Sequence, residues 1–67
     1  MRLDYYHKMI IHFLGNRRIA NTNEVAENLK ISWATANKKL HQLHHYGYVS
    51  RVKSRSLRNY DWELTRF

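Results

Sequence analysis

Two helix starts stand close together near the middle of the chain. Asn21 precedes Glu24 by three residues, the spacing of a capping box, although Asn stands where Ser or Thr is more usual. Apolar residues then predict a short helix that ends near Lys30, and Ser32 is placed to cap another helix. Because only a tight turn fits between Leu29 and Ser32, the two helices must cross at a steep angle.

Helical periodicity extends on both sides of this turn. Between Leu3 and Leu14, apolar residues recur at helical spacing, and Gly15 follows where a helix would end. This first predicted helix has an apolar stripe of Leu3, Tyr6, Ile10, Phe13 and Leu14. The third predicted helix ends at Gly47, and its stripe consists of Ala36, Leu40, Leu43 and either Tyr46 or Gly47.

After the third predicted helix, apolar residues alternate with polar ones. Residues 48–53 and 60–65 are therefore predicted to be two strands, and the polar segment 54–59 is predicted to be the loop of their hairpin. Ile19 and Ala20 are apolar enough for a very short strand that pairs with the edge of this hairpin. The predicted fold class is α+β, with three helices, a C-terminal β-hairpin and a short strand between the first two helices.

Length and composition exclude several classes of protein. We expect residues 1–67 to form a single domain, too small for a large enzyme with a deep pocket. Without cysteine, the chain has no disulfide framework and no Cys-based zinc site. Its longest apolar run, residues 9–11, is too short to span a membrane. No catalytic triad, P-loop or pair of carboxylates indicates an enzyme, so we expect neither catalysis, nor a cofactor, nor a small-molecule ligand.

Positive charge is concentrated in one part of the chain. The sequence has 12 Lys and Arg against 5 Asp and Glu, a formal net charge of +7 at pH 7. Between Ser32 and Tyr60 there are six basic residues and no acidic one. Such a surplus indicates a polyanionic partner, most often nucleic acid. We therefore expect a cytoplasmic, nucleoid-associated protein.

Four segments carry a resemblance to a known family. They are residues 21–29, the run Ile31-Ser32-Trp33-Ala34-Thr35-Ala36 with Leu40 and Leu43, the run Tyr46-Gly47-Tyr48-Val49, and the run Trp62-Glu63-Leu64-Thr65. In this order they resemble the winged-helix (winged helix-turn-helix) DNA-binding domains of small archaeal, viral and bacterial transcriptional regulators. The resemblance covers nearly the whole chain. It implies double-stranded DNA as the partner, with the third helix in the major groove and the hairpin, or wing, on the backbone or in the minor groove.

The third predicted helix carries candidate DNA-reading residues opposite its apolar stripe. Asn37 suits adenine, with which Asn pairs bidentately, or is merely solvated; Thr35 suits a thymine methyl group or a phosphate. Lys38 and Lys39 are expected on phosphates. Trp33 packs either on DNA or back against the second helix, and the usual burial of tryptophan favours the second hypothesis. The full set is Ser32, Trp33, Ala34, Thr35, Asn37, Lys38, Lys39 and His41.

Other candidate contacts lie in the wing and before the second helix. Arginine suits a narrow minor groove or a phosphate, and the wing set is Arg51, Lys53, Arg55, Ser56 and Arg58. A second set, expected on the flanking DNA backbone, is Arg17, Arg18 and Thr22. His41 and His45 stand one helical turn apart, as zinc ligands can, but a structural zinc site needs four ligands, so we expect no metal.

The first predicted helix is apolar around much of its circumference. Tyr5, Met9 and Ile11 lie off its main stripe, which predicts a homodimer interface there, joined by Trp62 or Phe67. Exposed single apolar residues on a monomer are the alternative. A symmetric dimer would present two third helices to a palindromic DNA site.

The leading functional hypothesis is a sequence-specific transcriptional regulator that represses by occupying a promoter. A sequence-tolerant architectural nucleic-acid binder and a winged-helix protein-interaction module are the alternatives. A narrower resemblance relates Asn37, Lys38, His41 and Trp62 to winged-helix proteins that bind left-handed DNA. In that family a tyrosine stands where this chain has His41, and its wing prolines have no counterpart here.

Overall fold

Three helices pack against a small antiparallel sheet of three strands. The computed structural model describes residues 2–52 and 60–65 of the 67-residue chain. Its elements are α1 (Tyr5–Asn16), β1 (Ala20–Asn21), α2 (Thr22–Leu29), α3 (Trp33–His45), β2 (Val49–Val52) and β3 (Asp61–Leu64). This order confirms the predicted α+β class, including the short strand between the first two helices.

Polar side chains begin α2 and α3 where the sequence predicts. The side chain of Asn21 accepts the Glu24 N–H at 2.8 Å, and the Glu24 carboxylate accepts the Asn21 N–H at 3.2 Å, which completes a capping box. The Ser32 hydroxyl accepts the Thr35 N–H at 3.1 Å. Between the helices, Lys30 adopts a left-handed backbone with φ 56°. This single left-handed residue ends α2 and makes the predicted tight turn.

Helix α1 begins later than the apolar pattern predicts. The Asp4 carboxylate accepts the His7 N–H at 2.9 Å, and His7 Nδ1 accepts the Asp4 N–H at 3.0 Å, a second capping box. Leu3 therefore lies before the helix, and Gly15 lies inside it rather than at its end. Tyr6, which was predicted in the apolar stripe, is 40% exposed. The residues that α1 buries are His7, Ile10 and Leu14.

The sheet joins the segment between α1 and α2 to the C-terminal strands. Its strand order is β1-β3-β2, and both pairings are antiparallel. In the β1–β3 pairing Ala20 lies opposite Trp62, and in the β2–β3 pairing Val49 lies opposite Leu64. The predicted edge pairing of the short strand is confirmed, although β1 starts one residue later than predicted and Ile19 is 42% exposed.

Trp62 lies at the centre of the core. Its side chain has no exposed surface, and its indole Nε1 donates a hydrogen bond of 2.9 Å to the Thr22 hydroxyl, which is also fully buried. This bond joins β3 to the first residue of α2. The apolar core consists of Ile10, Leu14, Ala20, Val25, Ala26, Ala36, Leu40, Leu43, Val49 and Trp62.

The hydrogen bond between Trp62 and Thr22 gives a stability prediction. Thr22→Val keeps the shape of the side chain but leaves the buried indole N–H without an acceptor, so the free energy of unfolding should fall by about 1–3 kcal/mol. Urea denaturation measures this change. In a Trp62→Phe background, which has no such N–H, the same substitution should cost little. An equal cost in both backgrounds would contradict the role of the hydrogen bond.

Candidate nucleic-acid interface

Helix α3 turns one face to the core and leaves the opposite face uncovered. Ala36, Leu40 and Leu43 have no exposed surface. On the other side Ala34 and Lys38 are exposed. Four further predicted reading residues on this helix, Trp33, Thr35, Asn37 and His41, are half-buried. The uncovered face therefore extends over the first two turns of α3 and includes Lys38.

The first turn of α3 uses two of its candidate residues for its own cap. The Ser32 hydroxyl donates to the Thr35 hydroxyl at 2.9 Å, while it accepts the Thr35 backbone N–H. Ser32 remains exposed and Thr35 half-buried. Both hydroxyl groups therefore lie at the uncovered N-terminal end of α3, the end at which free N–H groups and the helix dipole favour an anion.

Two polar contacts hold α3 against the start of α1. His7 Nδ1 accepts the Asp4 N–H, so His7 Nε2 carries the ring proton and donates it to Gln42 Oε1 at 2.8 Å. Lys39 Nζ donates to the Asp4 carboxylate. This hydrogen bond, with that from the His7 N–H, lowers the pKa of Asp4 from 3.8 to about 2. Asp4 is therefore ionised at neutral pH.

The ion pair with Asp4 changes the expected role of Lys39. Lys39 was predicted to contact phosphate, but its ammonium group is engaged by Asp4 and its side chain is only 19% exposed. Lys38, by contrast, is exposed on the uncovered face. Of the two neighbouring lysines, Lys38 is therefore the one whose charge is directed to solvent.

An aromatic and basic cluster lies where α3 meets the sheet. The His41 ring packs edge to face on Trp62, with centroids 5.2 Å apart, and on Tyr60 at 6.1 Å. The Arg51 guanidinium carbon lies 4.9 Å from the centroid of the Tyr60 ring. We call His41, Arg51 and Tyr60 the junction cluster. Tyr60 was not predicted as a site residue, although its place two residues before Trp62 in an alternating strand puts both side chains on one face.

Burial and nearby positive charge lower the pKa of His41. Burial lowers the pKa of His41 below 6.5, and the nearby charges of Arg51 and His44 lower it further. His44 is itself held by its Nδ1, 3.1 Å from the Val49 carbonyl oxygen, and by an edge contact with Trp62. At neutral pH the His41 ring is therefore an uncharged aromatic surface beside a guanidinium group.

The sheet separates its acidic residues from α3. Arg51 lies opposite Trp62 in the β2–β3 pairing, so their side chains share the face that packs on α3. Asp61 and Glu63 alternate with Trp62 along β3 and point to the other face. The helix-facing side of β2 and β3 thus carries a basic residue and no acidic one among the residues that the structure describes.

Two of the three residues predicted to contact the flanking DNA backbone, Arg17 and Thr22, have partners within the protein. Arg17 forms an ion pair with Glu24 and lies 5.5 Å over the Phe13 ring. The predicted phosphate contact of Thr22 is corrected by the structure. The Thr22 hydroxyl is buried against Trp62, and the Thr22 N–H donates to the Tyr60 carbonyl at 3.2 Å, so Thr22 has no exposed surface for a phosphate. Arg18 is exposed.

The wing is described only in part. Arg51 is exposed on β2. The remaining predicted wing contacts lie outside the described residues, and they are Lys53, Arg55, Ser56 and Arg58.

The predicted dimer residues differ in their exposure. Tyr5 is 69% exposed, Met9 is half-buried, and Ile11 packs partly against the core. Trp62 cannot join such an interface because it has no exposed surface, and Phe67 lies outside the described residues. The exposed apolar surface of α1 is therefore centred on its first turn.

No metal-binding group is found in residues 2–52 and 60–65. There, no set of three or more His, Cys, Asp or Glu side chains is placed to hold a metal ion. The ring of His45 packs edge to face on Tyr46, with centroids 5.0 Å apart, whereas that of His41 packs on Trp62. Within the same residues, no helix has the length and apolar character needed to cross a membrane.

Comparison with known proteins places this geometry in the winged-helix class of DNA-binding domains. Residues 2–57 match the family model described as iron dependent repressor, N-terminal DNA binding domain, and the chain belongs to this family. The described residues bring together no three ligands for the iron after which this family is named. No curated protein sequence matches the chain.

Three solved structures illustrate the likeness. ZitR of Lactococcus lactis, a zinc-responsive MarR family member, is 26% identical with a TM-score of 0.83, covering 97% of this chain and 45% of that one. An E. coli MarR C80S mutant complexed with operator DNA is 16% identical with a TM-score of 0.83, covering 94% and 46%. The Zalpha domain of Carassius auratus PKZ, in complex with Z-DNA, is 22% identical with a TM-score of 0.79, covering 90% and 92%.

The extent of these matches differs between the relatives. The chain spans less than half the length of the MarR-family chains but 92% of the Zalpha domain. These similarities confirm the predicted winged-helix fold.

The effect of the Arg51 charge on His41 gives a pH prediction. Because a nearby positive charge disfavours the imidazolium form, Arg51→Gln should raise the pKa of His41 towards 6.5. An NMR titration of the His41 ring protons measures this shift. Arg17→Gln, which removes an arginine paired elsewhere, should leave the midpoint unchanged. A His41 midpoint that is the same in all three proteins would show that Arg51 does not act on this ring.

Proposed function

We propose that this chain binds double-stranded DNA sequence-specifically and represses transcription by occupying promoter DNA. The observation that carries the proposal is the uncovered N-terminal face of α3, which lies within a stretch from Ser32 to Tyr60 that contains no acidic residue. Membership of a family of repressor DNA-binding domains supports it. So does the likeness to a MarR protein that was solved with operator DNA.

In this proposal α3 enters the major groove, which is wide enough for a helix. Asn37 reads an adenine edge, while Lys38 contacts a phosphate and helps to set the register. Ser32, Trp33, Ala34 and Thr35 contribute at the N-terminal end of α3. Arg51 and the wing residues Lys53, Arg55, Ser56 and Arg58 contact the backbone or the minor groove, and Arg18 contacts the flanking backbone.

Alanine substitutions at Asn37 and Lys38, near the middle of α3, should weaken DNA binding in different ways. Selection from randomised duplex DNA, followed by a salt series on the selected duplex, measures both effects. Asn37→Ala should relax specificity at one base position by about 1–3 kcal/mol. Lys38→Ala should weaken binding to all sequences and reduce the salt slope by about 1. Arg2→Ala removes the same charge from an exposed position before α1 and should change neither quantity.

The selection also separates the proposed function from its alternatives. An enriched site preferred over a scrambled one by about 10³-fold or more supports a sequence-specific regulator. Tight, salt-sensitive binding without enrichment contradicts it and supports an architectural role. No binding at moderate salt contradicts both and supports a protein-interaction module. An inversion of circular dichroism on an alternating G-C duplex would instead indicate binding to left-handed DNA.

We further propose that two copies of the chain pair through the outer face of α1. Tyr5 and Tyr6 are 69% and 40% exposed, and their rings contact each other edge to face with centroids 5.7 Å apart. Met9 and Ile11, both half-buried, extend this surface along the helix. A two-fold pairing here would present two α3 helices to half-sites about one helical turn of DNA apart, which agrees with a palindromic site.

Sedimentation velocity over a concentration series tests the dimer. The wild-type chain should change from monomer to dimer as its concentration rises, and Tyr5→Glu should remain monomeric because it places a charge in the interface. Tyr46→Glu, at a tyrosine that is 54% exposed on the C-terminal side of α3, should dimerise like the wild type. A wild-type chain that is monomeric at every concentration would refute the interface.

A further inference from the structure

The junction cluster lies where α3 stops covering the sheet. Arg51 on β2 lies opposite Trp62 on β3, so these two side chains share a sheet face, and Val49, two residues before Arg51, shares it with them. Tyr60 directly precedes β3, and its ring packs on Trp62 at this face. Val49 and Trp62 are buried beneath α3, with 1% and 0% exposure. Arg51 is exposed and Tyr60 half-buried. The same sheet face therefore runs from the core out to solvent beside His41.

Tyr60 is held in place by its backbone and by its ring. Its backbone carbonyl accepts the Thr22 N–H at 3.2 Å, which ties it to the first residue of α2. Its ring packs edge to face on Trp62, with centroids 6.0 Å apart, and on His41. An aromatic ring that is already ordered contributes contact area at little further cost in entropy when a ligand binds.

The charges around this ring suit an anion that carries an apolar surface. The Arg51 guanidinium lies on the Tyr60 ring, and the neutral His41 ring lies beside it. The acidic residues of β3, Asp61 and Glu63, point to the other sheet face. Among the residues that the structure describes, no carboxylate pairs with this guanidinium. An aromatic surface next to such a guanidinium matches a sugar with its phosphate.

The position of the cluster indicates which strand would reach it. His41 follows Asn37 by one helical turn, so both lie on the same side of α3. Arg51 lies one residue before the end of β2, and Tyr60 directly precedes β3. The cluster therefore lies beside the uncovered face of α3, where a strand leaving the major groove would pass.

We propose that His41, Arg51 and Tyr60 form a contact site for one sugar–phosphate strand of the bound duplex. A deoxyribose packs against the rings of Tyr60 and His41, and the adjacent phosphate binds the Arg51 guanidinium. The site rests on the proposed function, since the duplex is the one whose major groove receives α3. It adds to that function a contact that is apolar and independent of base identity.

Fluorescence anisotropy with the selected duplex over a salt series tests the site by substitution. Tyr60→Ala should weaken binding about five- to tenfold, the lower range for aromatic contacts with nucleic acid, and leave the salt slope unchanged because no charge is lost. Arg51→Ala should weaken binding and reduce the salt slope by about 1. Tyr48→Ala removes another tyrosine with 40% exposure, outside the cluster, and should bind like the wild type.

A second variant and a direct measurement keep the test independent of folding. Tyr60→Leu preserves apolar packing on Trp62 but removes the flat ring, and it should lose affinity like Tyr60→Ala. In the wild-type complex, intermolecular NOEs should connect the ring protons of Tyr60 and His41 with deoxyribose protons.

The outcomes separate the two proposals. If the wild-type complex shows DNA contacts from Asn37 and Lys38 but no NOE to Tyr60 or His41, the strand site is refuted and the proposed function stands. If the wild-type chain binds no duplex DNA, both proposals fail.

Discussion

The buried indole of Trp62 joins the sheet to two of the three helices. Trp62 has no exposed surface, and a buried N–H requires an acceptor, which here is the Thr22 hydroxyl. Through this one side chain β3 is joined to α2, and the rings of His41 and His44 pack on it from α3. The placement of β2 and β3 against α3 depends on these contacts.

A second constraint acts on α3 from its other side. Asp4 and His7 cap α1 and at the same time bind Lys39 and Gln42. Helix α3 is therefore supported by α1 along one flank and by Trp62 along the other, and only its outer face is left to a partner. Rigid support of this kind suits a surface that must match the groove of a duplex, because binding then orders few additional side chains.

The sequence predicted those features that depend on neighbours along the chain. The Asn21 and Glu24 capping box and the Ser32 cap place the starts of α2 and α3, because capping is decided within one helical turn. The start of α1 was missed although it is equally local, because His7 is an uncommon third-position residue for a capping box. The change from helical to alternating periodicity after Gly47 likewise predicted the start of β2 and both ends of β3 to within one residue.

The sequence by itself determined the helices, the tight turn, the strands and the basic stretch of the chain. Only the tertiary structure decided which polar residues remain available to a partner. Thr22 is buried by Trp62, 40 residues later, and Lys39 is engaged by Asp4, 35 residues earlier. Tyr60 and His41 likewise become one surface only when β3 packs on α3. Local propensity acts within a few residues, whereas burial and ion pairing depend on groups that are distant in sequence and meet only in the fold.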